Sequence, residues 1–325
     1  MRQRIESVIV IVGPTAVGKT AFSLRLARRL NGEIISADSM AVYRGMDIAT
    51  QKPSLADRRK VRHHLIDIIS PAEEFSAASF RRRAIRAISA ICKKGKVPII
   101  VGGTGLYVKA LIDGLFPSPP KDEALRKRLY RLAHREGSAK LYSMLEYHDL
   151  DTAANIHPND TKRIIRALEI CHTTKKTVSK IKARTHPLSD SYHVRIIGLT
   201  RPREELYPII NERVDRMFEA GLLEEVRGLA RRKLSITASQ AIGYKETFSY
   251  IKRFRGAIDE DEIEALKELI KRNSRRYAKR QMTWFGADKR VEWFDLSSVR
   301  ETEVIRKVIR LLGNGKGNEA RIGKG

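Results

Sequence analysis

The stretch Gly13–Thr20 constrains the fold of this chain of 325 residues more than any other feature. Its eight residues, GPTAVGKT, fit the pattern G-x-x-x-x-G-K-[ST] without exception. An apolar run, Val8–Val12, precedes it, and apolar residues at helical spacing follow it, beginning with Phe22 and Leu26. This order of strand, Gly-rich turn and helix points backbone N–H groups at phosphate oxygens. The sequence therefore predicts a phosphate-binding P-loop.

Residues of the P-loop have separate predicted roles. Gly13 and Gly18 permit the tight turn. Lys19 supplies a mobile positive charge, and the Thr20 hydroxyl is placed to ligate Mg²⁺. The predicted phosphate-binding residues are Gly13, Pro14, Thr15, Ala16, Val17, Gly18, Lys19 and Thr20.

Short apolar runs alternate with helical patterns through the first third of the chain. Glu33–Ser36, Leu65–Ile69 and Val97–Val101 predict strands, and Phe75–Cys92 predicts a helix. This alternation is typical of a parallel sheet whose two faces are both covered. We therefore predict an α/β fold, a P-loop NTPase-like parallel sheet with helices on both faces.

A proline-rich segment, Phe116–Pro120, interrupts this alternation. From Glu123 to about Lys182 the pattern is only helical, and Val194–Leu199 then predicts another buried strand. Two long helices are predicted after it, Glu204–Arg232 and Glu260–Phe285. The predicted organisation is a core of residues 1–115 and 193–312, an inserted small helical domain of residues 116–192, and a disordered tail of residues 313–325.

The charge of the chain favours a polyanionic partner. Lys and Arg number 64 against 38 Asp and Glu, a formal net charge of +26. Because the basic residues are spread over the whole chain, a folded basic face that binds nucleic acid is favoured over a disordered arm. The alternative left open is that the charge reflects only the high Lys and Arg content of a thermophilic or basic proteome.

Other classes are disfavoured by composition. No apolar run approaches the roughly 20 residues that span a membrane, and the N-terminus does not resemble a secretory signal, so we expect no membrane partner and a cytoplasmic location. The two Cys residues, Cys92 and Cys171, lie far apart and suggest neither a disulfide framework nor a zinc site. No feature demands more than a monomer.

Three loops are predicted to meet at one edge of the sheet. Asp38 follows the strand Glu33–Ser36, and Gly102–Gly105 follows the strand Val97–Val101. Open α/β sheets bind ligands outside the carboxyl ends of their strands, so both loops should join the P-loop around one crevice. A lone carboxylate there suits either indirect support of Mg²⁺ or general-base catalysis, and the pattern leaves both open.

A series of further motifs continues in order along the chain, from about residue 8 to residue 295. They are Ser36–Met40, Tyr43–Ile48, Lys52-Pro53, His63–Asp67, Val101–Tyr107, Arg163–Glu169, Arg213–Met217, Gly221–Val226, Ala241–Glu246 and Arg280–Phe285. The P-loop alone is generic, but the whole series resembles the tRNA dimethylallyltransferase family, also called tRNA isopentenyltransferases.

The resemblance implies a reaction. Enzymes of this family transfer a dimethylallyl group from dimethylallyl diphosphate to N6 of the adenine 3′ to the tRNA anticodon, releasing diphosphate. The diphosphate would then lie in Gly13–Thr20, with Asp38 as the base that accepts the N6 proton. Thr104, Arg213 and Mg²⁺ would help the P-loop stabilise the leaving group, so the catalytic residues implied are Asp38, Thr104 and Arg213.

The partner implied is the anticodon stem-loop of tRNA. Lys162, Arg163 and Arg166 lie at helical spacing and share a face that suits an RNA backbone, although a solvated helix face is the open alternative. The resemblance favours RNA contact by this segment. The tRNA-binding residues implied are Asp38, Ser39, Met40, Ala41, Lys162, Arg163, Ile164, Ile165 and Arg166.

One position departs from the family pattern. A Gln usually follows Asp-Ser-Met, where it can bind the target base, but here the residue is Ala41, whose side chain has no donor or acceptor. Three alternatives follow: a neighbour such as Tyr43 binds the adenine edge, the backbone does so, or base discrimination is looser.

The motifs leave two other functions open. A nucleotide or small-molecule kinase with the same P-loop would bind ATP and use Asp38 to activate an acceptor hydroxyl. An RNA-binding NTPase without group transfer would also suit the basic insertion. Neither explains the Asp-Ser-Met, Gly-Gly-Thr-Gly and Arg-Gln-Met-Thr-Trp-Phe segments together.

Overall fold

The computed structural model describes residues 6–116, 119–182, 185–254 and 259–314. The chain divides into two compact units, a core unit of Met1–Ile112 with Leu188–Gly325 and a helical unit of Asp113–Pro187. The predicted insertion, residues 116–192, overlaps the helical unit. Of the tail predicted over residues 313–325, residues 315–325 lie outside the described residues.

Six parallel strands form one sheet in the core unit. In chain order they are β1 (Glu6–Val12), β2 (Gly32–Ser36), β3 (His63–His64), β4 (Val97–Val101), β5 (Tyr192–Thr200) and β6 (Val291–Asp295). Their order across the sheet is β3-β2-β4-β1-β5-β6, and every pairing is parallel. The predicted α/β fold with a parallel sheet is confirmed.

Helices connect these strands and form the helical unit. In the core unit they are α1 (Lys19–Arg29), α2 (Leu55–Lys60), α3 (Ala77–Cys92), α4 (Gly105–Ile112), α9 (Arg203–Glu219), α10 (Leu222–Ala230), α11 (Ile236–Ser239), α12 (Tyr244–Arg253), α13 (Glu260–Gly286) and α14 (Glu301–Asn314). In the helical unit they are α5 (Glu123–His148), α6 (Leu150–Ala153), α7 (Thr161–Thr174) and α8 (Val178–Lys182). None of the described helices has both the length and the apolar character needed to cross a membrane.

The central strand β1 is buried on both faces. Val8, Val10 and Val12 pack into one hydrophobic cluster, whereas Ile9 and Ile11 pack into the other. Since side chains alternate along a strand, two covered faces require a continuous apolar run, which is the pattern the sequence shows. Helices therefore cover both faces of the sheet, as predicted.

The order of the strands places the functional loops side by side. β2, β4 and β1 are adjacent and parallel, so the loops that follow them emerge at one edge. The loop after β1 begins with Gly13, whose φ is 141°, and a Cβ there would lie 2.3 Å from the carbonyl oxygen of Leu199 in β5. Only glycine permits this close approach of the P-loop to the neighbouring strand.

Two predicted elements are wrong in detail. The strand predicted over Leu65–Ile69 is absent from the described sheet, because Leu65 and Asp67 have left-handed backbone with φ of 63° and 56°. The single helix predicted over Glu204–Arg232 is instead two helices, α9 and α10, separated at Gly221, where φ is 90°.

The helical unit has its own hydrophobic core. Its α7 begins at a capping residue, Asp160, whose carboxylate accepts a hydrogen bond from the Arg163 N–H at 3.1 Å. The carboxylate of Glu169 is completely buried and accepts hydrogen bonds from Arg126 and Arg166. This core includes Leu125, Leu129, Leu141, Leu145, Ile164, Ile165, Leu168 and Ile170.

A second buried carboxylate, Glu33, anchors β2 in the core unit. It accepts hydrogen bonds from His64 Nε2 at 2.7 Å, Lys96 at 3.1 Å and Lys94 at 3.4 Å. Burial alone would raise the pKa of Glu33, but the hydrogen bonds from His64 and Lys96 outweigh it and lower the pKa to about 2. The folded state therefore favours the ionised carboxylate.

Glu33→Gln is expected to lower the free energy of unfolding by about 1–3 kcal/mol at pH 7, because it removes the charge that these donors require. The carboxylate pKa is lower in the folded than in the unfolded chain, so the loss is complete well above the ordinary pKa of 4.5 and shrinks as pH falls toward 2. Urea denaturation at a series of pH values measures the difference.

A matched control is Glu205→Gln, which removes an exposed ion pair with Arg201 and is expected to cost less than about 0.5 kcal/mol. A difference between wild type and Glu33→Gln that does not change with pH would contradict the assigned role of the ionised carboxylate.

Candidate active site

A cavity of about 520 Å³ opens at the carboxyl ends of β1, β2 and β4. The three loops expected to meet there all contribute to it, together with side chains from α9 and α13. Its walls include Thr15, Gly18, Lys19, Thr20, Asp38, Ala41, Gly102, Gly103, Arg213, Tyr277 and Gln281.

A second cavity, of about 290 Å³, shares part of this wall. The residues common to both are Thr15, Asp38, Thr50, Arg213 and Tyr277. Its remaining wall is largely apolar and includes Met40, Ala49, Ile210, Val214, Met217, Ala241, Ile242 and Ile270. Asp38 and Arg213 therefore lie where a charged cavity adjoins an apolar one.

The P-loop has the backbone of an anion cradle. Gly18 has a φ of 103° and precedes α1, which begins at Lys19, so N–H groups of the first helical turn lie at the cavity. The Lys19 ammonium donates to the carbonyl oxygens of Gly13 at 3.0 Å and Pro14 at 2.6 Å. Burial and then the charge of Arg213 lower the pKa of Lys19 to about 7.

Arg213 brings a second buried cation from α9. Its Nη1 donates to the Thr15 hydroxyl at 2.9 Å, and burial lowers its pKa to about 10. Its Nε is buried and has no hydrogen-bond partner among the described residues. A buried donor without a partner is costly, so this guanidinium is suited to a ligand that supplies an acceptor. Together, Lys19 and Arg213 make the cavity attractive to an anion.

Asp38 is held in place by its own loop. Its Oδ1 accepts hydrogen bonds from the N–H groups of Met40 at 2.7 Å and Ala41 at 3.4 Å. The Thr104 hydroxyl accepts from the Ser39 N–H at 3.1 Å, so the loop after β4 supports the loop after β2. The structure thus places Thr104 against Ser39, one residue from the carboxylate.

Sequence reasoning missed two residues of α13 that line the cavity, Tyr277 and Gln281. Burial, with a further effect from the charge of Asp38, raises the pKa of Tyr277 to about 12, so its hydroxyl stays protonated. Gln281 is only 5% exposed and lies on the same helix face as buried Ala278 and Phe285. The sequence signal for Gln281 was a polar residue at a position where the helical spacing otherwise places apolar residues.

One of the alternatives for binding the adenine in place of a Gln at position 41, the side chain of Tyr43, is wrong. Tyr43 is completely buried in the hydrophobic core of the core unit, so its side chain is not available to bind a base. Ala41 itself lines the larger cavity, where its methyl group provides no hydrogen bond. The N–H groups of Met40 and Ala41 both face Asp38, which leaves other groups of the cavity to contact a base.

The segment predicted to bind RNA belongs to α7 of the helical unit. Lys162 and Arg163 are exposed, as the prediction requires. Ile164 and Ile165 are buried at 0% and 1% exposure, so the predicted RNA contact is wrong for their side chains. Both pack in the core of the unit because α7 is amphipathic. Arg166 pairs with Glu169 and donates to the carbonyl oxygen of Pro119 at 3.0 Å.

The donor set for a metal ion is sparse. Among the described residues, no group of three or more His, Cys, Asp and Glu side chains could hold one. Thr20 and Asp38 line the same cavity, and Mg²⁺ commonly binds through one or two protein oxygens together with substrate phosphates. The residues present fit a cation that arrives with a phosphate ligand.

Comparison with known proteins identifies close relatives. The sequence model of the IPP transferase family matches residues 41–288. The chain is 47% identical to the tRNA dimethylallyltransferase of Halothermothrix orenii over 309 residues, which are 94% of this chain and 92% of the relative. It is 45% identical to the tRNA dimethylallyltransferase of Bacillus subtilis, over 95% of this chain and 97% of the relative.

Solved structures agree with these matches. The full-length tRNA isopentenylpyrophosphate transferase of Bacillus halodurans is 41% identical, with a TM-score of 0.71 over 97% of this chain and 100% of the other. A eukaryotic dimethylallyltransferase, solved acting on tRNA, is 28% identical, with a TM-score of 0.76 over 95% of this chain and 80% of the other. The resemblance predicted from the motifs is confirmed: this chain belongs to the IPP transferase family, the family of the tRNA dimethylallyltransferases.

Proposed function

We propose that this protein transfers a dimethylallyl group from dimethylallyl diphosphate to N6 of the adenine 3′ to the anticodon of tRNA, releasing diphosphate. The observation that carries the proposal is the position of Asp38, which lines both the cationic P-loop cavity and the adjoining apolar cavity. Prenyl transfer needs a charged site for the leaving group, an apolar site for the allyl group and a base between them. Relatives that are 45–47% identical are tRNA dimethylallyltransferases.

The leaving-group end consists of the P-loop, Lys19 and Arg213. As the C1–O bond of the donor breaks, its electron pair leaves with the diphosphate. Cations and N–H groups that are already in position stabilise this developing charge without reorganisation. Arg213 suits this role because its Nε has no partner among the described residues, and Lys19 suits it because an anion favours its protonated form.

We further propose Mg²⁺ as the metal, held by the Thr20 hydroxyl together with diphosphate oxygens. When bound, it would neutralise charge on the leaving diphosphate. Thr20 follows Lys19 in the P-loop and lines the larger cavity.

Asp38 acts at the nucleophile end. The exocyclic amine of adenine is a weak nucleophile because its lone pair is delocalised into the ring. As N6 bonds to C1 of the allyl group, the N6 proton passes to the Asp38 carboxylate. Two backbone N–H groups fix one oxygen of this carboxylate, which keeps its orientation constant during the reaction. Thr104 contributes by holding Ser39 beside it.

The tRNA is proposed to contact the helical unit and the loop Asp38–Ala41. Lys162 and Arg163 are exposed cations near the N-terminus of α7 and suit RNA phosphates. Arg166 stays in the proposed RNA-binding set. Its pair with the buried Glu169 of the same helix and its hydrogen bond to the carbonyl oxygen of Pro119 hold its guanidinium in place. The target adenine must leave its stack to reach Asp38, which lies in a cavity. A cytoplasmic location and a monomeric state remain predictions of the sequence.

The direct test is incubation with unmodified tRNA, Mg²⁺ and labelled dimethylallyl diphosphate. Label is expected in the tRNA at the adenine 3′ to the anticodon, with diphosphate released in equal amount. Consumption of ATP without label in the RNA would reject prenyl transfer and favour the kinase or NTPase alternative.

Asp38→Ala is expected to lower the rate of prenyl transfer in single turnover by about 10² or more, because it removes the proposed proton acceptor. Affinity for tRNA should change little. Asp38→Asn is the matched variant, since its amide oxygen can still accept from the Met40 N–H but cannot take a proton. Loss of tRNA binding with an unchanged chemical rate would remove Asp38 from the role of base.

Replacing both Lys162 and Arg163 by Ala is expected to weaken tRNA binding and to reduce its salt dependence, with a slope of log K against log salt lower by about 1 per lost phosphate contact. Filter binding at several salt concentrations measures the slope. Lys93→Ala, an exposed lysine of the core unit, is the control.

The same double variant should bind inorganic diphosphate as wild type does, because its changes lie outside the P-loop. An unchanged salt slope for tRNA would show that these two cations form an ordinary solvated helix face.

A further inference from the structure

Gln281 occupies an unusual place between two loops of the site. Its Oε1 accepts a hydrogen bond from the Thr15 N–H in the P-loop at 2.8 Å. Its Nε2 donates to the carbonyl oxygen of Gly103, in the loop after β4, at 3.0 Å. The side chain is 5% exposed, so both bonds are largely protected from water. One carboxamide therefore joins the loops that follow the adjacent strands β1 and β4.

Both ends of this bridge continue into groups of the proposed reaction. On one side, the Thr15 hydroxyl accepts from Arg213, which is proposed to bind the leaving diphosphate. On the other side, Gly103 precedes Thr104, whose hydroxyl accepts from the Ser39 N–H beside Asp38. Hydrogen bonds, joined by short covalent stretches within Thr15, between Gly103 and Thr104 and between Ser39 and Asp38, thus connect the leaving-group end of the site with the base.

The packing around Gly103 is matched to this contact. A Cβ at position 103 would lie 2.0 Å from Gln281 Nε2, whereas the nearest atom of any other residue, the carbonyl oxygen of Gly13, would be at an ordinary 3.6 Å. The absence of a side chain at Gly103 therefore makes room for the Gln281 carboxamide. Any larger residue there would displace it.

We propose that Gln281 is a positioning residue, which aligns the diphosphate cradle of the P-loop with the loop that supports Asp38. The inference rests on the proposed prenyl transfer. In that reaction the N6 nucleophile, the allylic C1 and the leaving oxygen must be brought into line, and a displacement of about 1 Å costs on the order of 10²-fold in rate. Gln281 controls this alignment through the backbone and does not touch the reacting atoms.

The kinetic test compares Gln281→Ala, Gly103→Ala and the variant that carries both changes. Each single change is expected to lower kcat for prenyl transfer by about 10- to 100-fold, with KM for dimethylallyl diphosphate within about threefold of wild type. The double variant should be no slower than Gln281→Ala, because both changes break the same link and the added methyl then has room. Thr283→Val, an exposed change on the same helix, is the control and should be neutral.

Additive losses in the double variant, or an unchanged kcat in Gln281→Ala, would overturn the proposal. A parallel fall of diphosphate affinity, tRNA affinity and Tm would also overturn it, because that is the signature of general destabilisation. Titration calorimetry with inorganic diphosphate and with tRNA measures the two affinities, and thermal unfolding measures Tm.

Amide hydrogen exchange at Thr15 tests the link without any activity. The Thr15 N–H should exchange at least about tenfold faster in Gln281→Ala than in wild type, since the loss of a buried hydrogen bond exposes it. Gln281→Glu retains the acceptor and should keep the exchange rate within about threefold of wild type. Exchange at Thr15 that is the same in all three proteins would reject the link. If wild type transfers no prenyl group, the proposed function fails, while the exchange experiment still decides the role of Gln281.

Discussion

The burial of β1 on both of its faces is the constraint on which the rest of the structure depends. Val8, Val10 and Val12 are inaccessible on one face, and Ile9 and Ile11 on the other, so helices must cover the sheet on both sides. β4 pairs with β1 in parallel and β2 pairs with β4, so the ends of three consecutive strands of the sheet lie together. The P-loop, Asp38 and the glycine-rich loop after β4 meet for this reason.

Buried positive charge gives this arrangement its chemical character. Lys19 and Arg213 are both desolvated, and the charge of Arg213 further lowers the pKa of Lys19. The site therefore stores unfavourable electrostatic free energy that an anion relieves. The charge of Asp38 acts in the opposite direction on the pKa of both cations, and Asp38 lines both cavities.

Patterns of local spacing predicted some features well and others poorly. They predicted the two-faced sheet and the amphipathic α3, but they placed a strand over Leu65–Ile69, where the backbone turns left-handed at two residues. They also assigned Ile164 and Ile165 to an RNA contact, although both are buried. A family motif marks residues that matter, but it does not distinguish a residue that contacts a ligand from one that packs in the core, as these two residues illustrate.

By itself, the sequence determined the P-loop, the alternation of strands and helices, and the edge of the sheet at which Asp38 lies. These features depend on the spacing of nearby residues and on the geometry common to all parallel sheets. The family resemblance already implied Arg213, but only the tertiary structure decided that Arg213 and Gln281 both bind Thr15. They lie 198 and 266 residues from it along the chain, respectively. Contacts of that separation leave no periodic signal in a single sequence, since they arise from how helices pack on the finished sheet.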